Sequence, residues 1–195
     1  GSRKPFQRPF DDFTCCVGSG FENHASYGDA IYATTTSPAG APPTIYVSQF
    51  VSSTAEWRAE GVTLELQSGL PESGRISVRV GVAAPKRFRL MMRVPAWAGL
   101  GAAARIGSEP IPIPASLQAG GYLACERVWK DGDVVVLELP MTLRAEATPD
   151  DPDRLALFHG PILLGGDLGR LPPSSVASPA IVSDERDPAA WFHLT

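Results

Sequence analysis

From Thr44 onward, apolar residues fall on every second position in one segment after another, and that period of two constrains the fold more than any other feature. "VTLELQ" puts Val62, Leu64 and Leu66 on one face, "RISVRVGV" does the same with Ile76, Val78, Val80 and Val82, and "RFRLMMRV" with Phe88, Leu90, Met92 and Val94. "TIYVSQF" alternates too, and "GYLACERV", "DVVVLELP", "TLRAEA", "RLALFHG" and "PILLGG" continue the series. Turn residues separate the segments: Pro71, Ser73-Gly74, Pro85, Pro95, Gly120-Gly121 and Asp131-Gly132-Asp133. Short alternating strands at this spacing, without helices between them, predict a mainly β protein, an antiparallel β-sandwich or jelly roll. The prolines suit edges and turns better than central strands. Lys130-Asp131-Gly132-Asp133, between "ERVW" and "VVVLELP", reads as a tight hairpin, because Asp-Gly supplies the positive φ such a turn needs.

One segment ahead of the strands has a different period. Over residues 17–36, Phe21, Ala25, Gly28, Ile31 and Tyr32 recur at helical spacing, with Glu22, Asn23, Ser26 and Asp29 between them. Ser19-Gly20-Phe21-Glu22 has the form of a capping box, which places the N-cap at Ser19. The helix is expected to fade in Thr34-Thr35-Thr36 and to stop before Pro38. A lone amphipathic helix cannot bury its apolar face, so Phe21 and Ile31 need the sandwich or other helices to pack on. Left bare, that face would favour self-association. The expected organisation is a helical segment over 1–37, a sandwich over 38–169, and a Pro/Ser-rich linker with the start of a further element over 170–195.

Charge and cysteine usage exclude several functions. The net charge of −4 at pH 7 argues against a nucleic-acid binder, and Lys86-Arg87-Phe88-Arg89 reads as a solvated strand face. Three cysteines in a chain of 195 residues are no disulfide framework, and neighbours such as Cys15 and Cys16 seldom reach disulfide geometry. Cys125, inside "GYLACERV", reads as a small buried apolar residue. No membrane-spanning run and no secretory signal stands out, so no membrane partner is expected and the compartment stays open between bacterial-type cytoplasm and periplasm.

The cysteine pair is the chemical oddity. With an N-cap at Ser19, Cys15 and Cys16 lie just upstream of a helix N-terminus, where unpaired N–H groups and the helix dipole favour a thiolate. Two adjacent thiolates repel unless a cation lies between them, and zinc is the fitting cation, but it requires further ligands. The bland reading is two small residues buried in a loop. His24 is a candidate ligand or supporting group for the pair, or a packed first-turn residue; Glu22 has a role already as the capping-box carboxylate. "TPDDPDR", with Asp150, Asp151 and Asp153, lacks the glycine and distal glutamate of a calcium loop and reads as a solvated turn. His159, before Gly160-Pro161, reads as a corner residue.

"TCCVGSGFENHASYGDAIY" resembles the CC-x-G-[ST]-G-x-E-N-H-x-x-Y-G segment that closes the catalytic domain in the β-L-arabinofuranosidase group of glycoside hydrolases. "TIYVSQFVSSTAEW", "LMMRVPAWA", "ERVWKDGDVVVLELPM" and "LALFHGPILLGGDLG" resemble the segments that follow there, in the same order, over residues 13–169. The resemblance implies an (α/α)6 barrel followed by β-sandwich domains, and hydrolysis of L-arabinofuranosides with retention by a zinc-bound cysteine. Carried over by motif, Cys15 is the nucleophile and a zinc ligand, and Cys16 a second zinc ligand, with Glu22 and His24 as possible supporting groups. The family's remaining ligands, a glutamate and a cysteine, and its acid/base glutamate lie upstream of the doublet, and Asp11 and Asp12 do not match them. The chain is therefore expected to be the last barrel helix plus sandwich of such an enzyme. Alone it should be inactive and hold zinc weakly or not at all, whereas the complete enzyme would take an arabinose-containing glycan. The alternative is a noncatalytic sandwich that binds carbohydrate, with Trp57, Trp97, Trp129 and Trp191 as platform candidates, or that docks onto a barrel.

Overall fold

The computed structural model describes residues 15–35 and 40–165, together with 185, 187 and 190. A helix, α1 (Cys15–Ser26), and a 3-10 turn (Tyr27–Ala30) lead into thirteen strands. One sheet has the order β1-β2-β6-β9, from β1 (Tyr32–Thr35), β2 (Thr44–Val47), β6 (Lys86–Val94) and β9 (Gly121–Trp129). A second has the order β3-β4-β5-β10-β7-β8, from β3 (Ser53–Trp57), β4 (Val62–Ser68), β5 (Arg75–Val82), β7 (Ala103–Ile106), β8 (Glu109–Ile111) and β10 (Val134–Glu138). The remaining three, β11 (Leu143–Thr148), β12 (Asp151–His159) and β13 (Ile162–Leu163), form a small sheet of their own.

The alternation read from the sequence becomes the inner faces of the first two sheets. Leu64, Ile76, Val78, Val80, Phe88, Leu90 and Met92 are fully buried, and their neighbours one position along are not. Each such side chain contributes roughly 1.5–3 kcal/mol by leaving water. Trp129 closes one end of the core. Its ring stacks on Phe88 with centroids 5.3 Å apart, and its Nε1 donates to the Phe88 carbonyl at 3.0 Å. Trp57 of the second sheet meets Phe88 edge-on at 6.1 Å, and the Tyr32 hydroxyl pairs with Ser53 Oγ at 3.0 Å, so ring and hydroxyl contacts tie the layers together. This is the expected sandwich, mainly antiparallel, with one parallel pair where β2 runs beside β6.

Several expectations are corrected. The helix neither starts at Ser19 nor reaches Thr36: it already includes Cys15 through Val17, and it ends at Ser26. Ser19 is thus an exposed interior residue, not a cap. Tyr32 to Thr35 pair with β2 instead of continuing the helix, since Thr34 and Thr35 are β-branched and a partner strand is available. Lys130-Asp131-Gly132-Asp133 is a turn, with Gly132 at φ 81°, but not a hairpin. β9 before it pairs with β6 in one sheet, and β10 after it pairs with β5 and β7 in the other, so the turn carries the chain between layers. The acidic "TPDDPDR" is only partly a turn, because β12 begins at Asp151 and the Asp151 carboxylate accepts from the Asp153 N–H at 3.0 Å. β3, β7 and β8 escaped the sequence reading; each is short and lacks a clean apolar alternation.

Candidate functional site

The cysteine pair lies within α1, not in a loop before it. Glu22 is seven residues further on, roughly 10 Å along the axis, and His24 is nine, roughly 13 Å. Neither lies in the turn that holds the pair. Both are exposed, and the His24 ring meets Tyr27 edge-on at 5.2 Å. The Glu22 backbone carbonyl accepts from Ser26 Oγ at 3.2 Å, a contact inside the helix.

Most of α1 packs on nothing among the described residues. Phe21 is 72% exposed and Tyr27 50%, whereas Ile31, just past the 3-10 turn, is 9% exposed and belongs to the sandwich core. The face expected to hold Phe21 and Ile31 together is therefore split, with Ile31 in the sandwich and Phe21 in solvent. Among the described residues no group of three or more His, Cys, Asp or Glu is placed to hold a metal ion. Zinc takes four ligands, so two adjacent thiols would need further donors to complete a site.

Between the edge strands β8 and β9 runs a groove of about 430 Å³, lined in part by Ile106, Glu109, Ile111, Cys125 and Glu126. Burial pushes the Cys125 thiol up to about 11, which makes it a poor nucleophile, as expected of a small core residue. Glu126 is held below the usual carboxylate range by hydrogen bonds from Arg89 and Arg87, at 2.6 and 2.7 Å, so it is no proton acceptor near neutral pH. The outer face of the second sheet carries a polar hollow of about 380 Å³ lined by Glu65, Gln67, Ser77, Arg79 and Val134, without an aromatic ring. Nor do the described tryptophans form a platform: Trp129 is fully buried and Trp57 and Trp97 are packed against the core; Trp191 lies outside the described residues. That removes the motive for sugar binding by stacking on a sheet face. No helix among the described residues is long and apolar enough to cross a membrane.

Residues 44–141 match the family model described as β-L-arabinofuranosidase, GH127 middle domain. Among solved structures, a GH127 β-L-arabinofuranosidase from Geobacillus stearothermophilus T6 superposes with a TM-score of 0.64 at 27% identity, over 76% of this chain and 23% of that one. A second, described as a glycoside hydrolase, gives 0.54 at 28% identity, over 67% and 22%. A GH127 β-arabinofuranosidase gives 0.51 at 22% identity, over 62% and 22%, and shares the fold. The chain thus spans less than a quarter of the length of each. None of the curated proteins compared with it matches.

Proposed function

The chain belongs to the GH127 β-L-arabinofuranosidase family, whose middle domain it contains, and from that premise we propose that it is the sandwich-bearing part of an enzyme that hydrolyses L-arabinofuranosides with retention. The observation that carries this reading is an adjacency. The matched sandwich at 44–141 is preceded, across a 3-10 turn and β1, by the helix that holds Cys15 and Cys16.

In this reading Cys15 is the nucleophile, acting as a thiolate, the form that attacks an electrophilic carbon. Cys16 beside it offers a second thiolate, and zinc would require two further donors from outside the described residues. Retaining hydrolysis also needs a proton donor for the leaving oxygen, about 5 Å from the nucleophile. Glu22, the carboxylate of α1 itself, is two helical turns from Cys15, and the sandwich stands at the other end of the helix. The donor and the glycan contacts therefore come from elsewhere in the enzyme, and this chain contributes nucleophile, helix and middle domain.

The test is hydrolysis of an aryl β-L-arabinofuranoside by the whole gene product and by residues 1–195 alone. The reading expects turnover by the former that Cys15→Ser abolishes, and none by the latter. Metal analysis of the gene product, with and without Cys16→Ser, checks the second thiol independently of rate. Turnover by residues 1–195 that survives Cys15→Ser would sink the assignment, and Glu22 would be the first residue to replace.

A further inference from the structure

From Ser19 to Ala30 every residue is exposed, and burial sets in abruptly at Ile31. Three contacts there tie the end of the helical segment to both sheets of the sandwich. The Ile31 side chain joins the core. The Ile31 carbonyl accepts from the Ser48 N–H at 2.8 Å, one residue past the end of β2. Tyr32, the first residue of β1, packs its ring against the core and brings its hydroxyl to 3.0 Å from Ser53 Oγ, at the start of β3 in the other sheet. Ser53 Oγ donates its own proton to the Val51 carbonyl at 2.7 Å, so the Tyr32 hydroxyl is the donor to Ser53. β1 and β3 are each the edge strand of their sheet, and this run of hydroxyls joins the two edges.

We propose that Tyr32 is a positioning residue for the reaction: on the reading that Cys15 is the nucleophile, the Tyr32–Ser53 hydrogen bond fixes the direction in which α1 leaves the sandwich, and thereby the place at which Cys15 meets the substrate. Leverage gives so small a contact its reach. The 12 residues of α1 span roughly 18 Å, so a tilt of about 5° at the base swings the far end by roughly 1.5 Å. Misplacing a reacting group by ~1 Å can cost about 100-fold in rate. The hydroxyl is suited to this task where the ring is not. Burial of an apolar ring is non-directional, whereas a hydrogen bond weakens steeply as its angle departs from linear. The backbone bond at Ile31 alone would let the segment pivot about it. A second bond one residue on, reaching the opposite sheet, resists that rotation.

Steady-state kinetics of the whole gene product carrying Tyr32→Phe, Ser53→Ala or both test this. Each single variant should lower kcat about 10-fold and change KM less than about twofold, and the double variant should fall no further, because both remove one bond. Ser53→Thr keeps the hydroxyl and should keep the unsubstituted rate. Should Tyr32→Phe not fold, Ser53→Ala reads the same bond. A bond that only stabilises the sandwich would lower the unfolding temperature and leave the kcat of the folded enzyme unchanged. That outcome overturns the proposal, as do losses that add in the double variant. Turnover that survives Cys15→Ser sinks the nucleophile assignment and this proposal with it, whereas turnover lost in Cys15→Ser but kept in Tyr32→Phe and Ser53→Ala sinks the positioning role alone. In a gene product without turnover, the rate at which iodoacetamide alkylates Cys15, followed by mass spectrometry, decides. A change of at least about threefold in Tyr32→Phe upholds the positioning, and equal rates overturn it.

Discussion

At the residue scale, burial separates cysteines that look alike in composition. Cys125 is 4% exposed and its thiol is pushed up to about 11 by desolvation, so it should resist a thiol reagent at pH 8 until the protein unfolds. Its proton also links stability to pH. The folded value lies above the unfolded one, so its contribution is complete below about pH 9 and is lost as pH rises to about 11. Over that window the loss is on the order of 2–3 kcal/mol, and Cys125→Ala should flatten it in urea unfolding curves compared across the range. Trp129 is the other decisive residue. Trp129→Ala removes a fully buried ring, its stacking on Phe88 and the donor to the Phe88 carbonyl, at a cost of about 3–5 kcal/mol, readable as a lower denaturation midpoint.

At the element scale, strand pairing depends on close backbone approach more than on charge. A Cβ at Gly74 would lie 1.7 Å from the Leu139 carbonyl oxygen, and the Leu139 N–H donates to the Gly74 carbonyl at 2.8 Å. Gly74→Ala should therefore push the end of β10 away from the start of β5 and cost about 2–4 kcal/mol, measured by thermal unfolding. The Arg87-Glu126-Arg89 cluster between β6 and β9 is a contrast, because its arginines lie in solvent. The Glu126 carboxyl is held low by Arg89 and then Arg87, so its contribution is present above the unfolded carboxylate value and is lost as pH falls. Glu126→Gln should lower the urea midpoint slightly at pH 7, less in high salt, and not at all at pH 2.

For the whole molecule, the helix and the sandwich share a chain without sharing a core. Ile31→Ala should cost about 2–4 kcal/mol because Ile31 is a core residue, whereas Phe21→Ala should leave sandwich stability unchanged, as urea unfolding of the two variants would reveal. An effect of Phe21→Ala as large as that of Ile31→Ala would mean that α1 docks on the sandwich. The sequence put these two residues on one helical face because their spacing fits a period of 3.6. It carried no sign that the helix would end at Ser26 and release Ile31 to the sheet.

Alternation alone determined the sandwich: Val62 to Leu66, Ile76 to Val82 and Phe88 to Val94 can bury one side only as strands, and all of these inward positions are buried as their spacing demands. The doublet at Cys15 and Cys16 was picked out by a motif within one short segment, and the structure adds that it lies in α1. Which sheet each strand joins was not, because partner choice depends on contacts far apart in sequence. Asp131-Gly132 supplies the same turn chemistry whether the next strand folds back on β9 or crosses to the other layer. Tertiary structure decided that crossing and the fate of Tyr32 to Thr35. Each depends on what lies across a packing interface, and local sequence does not encode the other side.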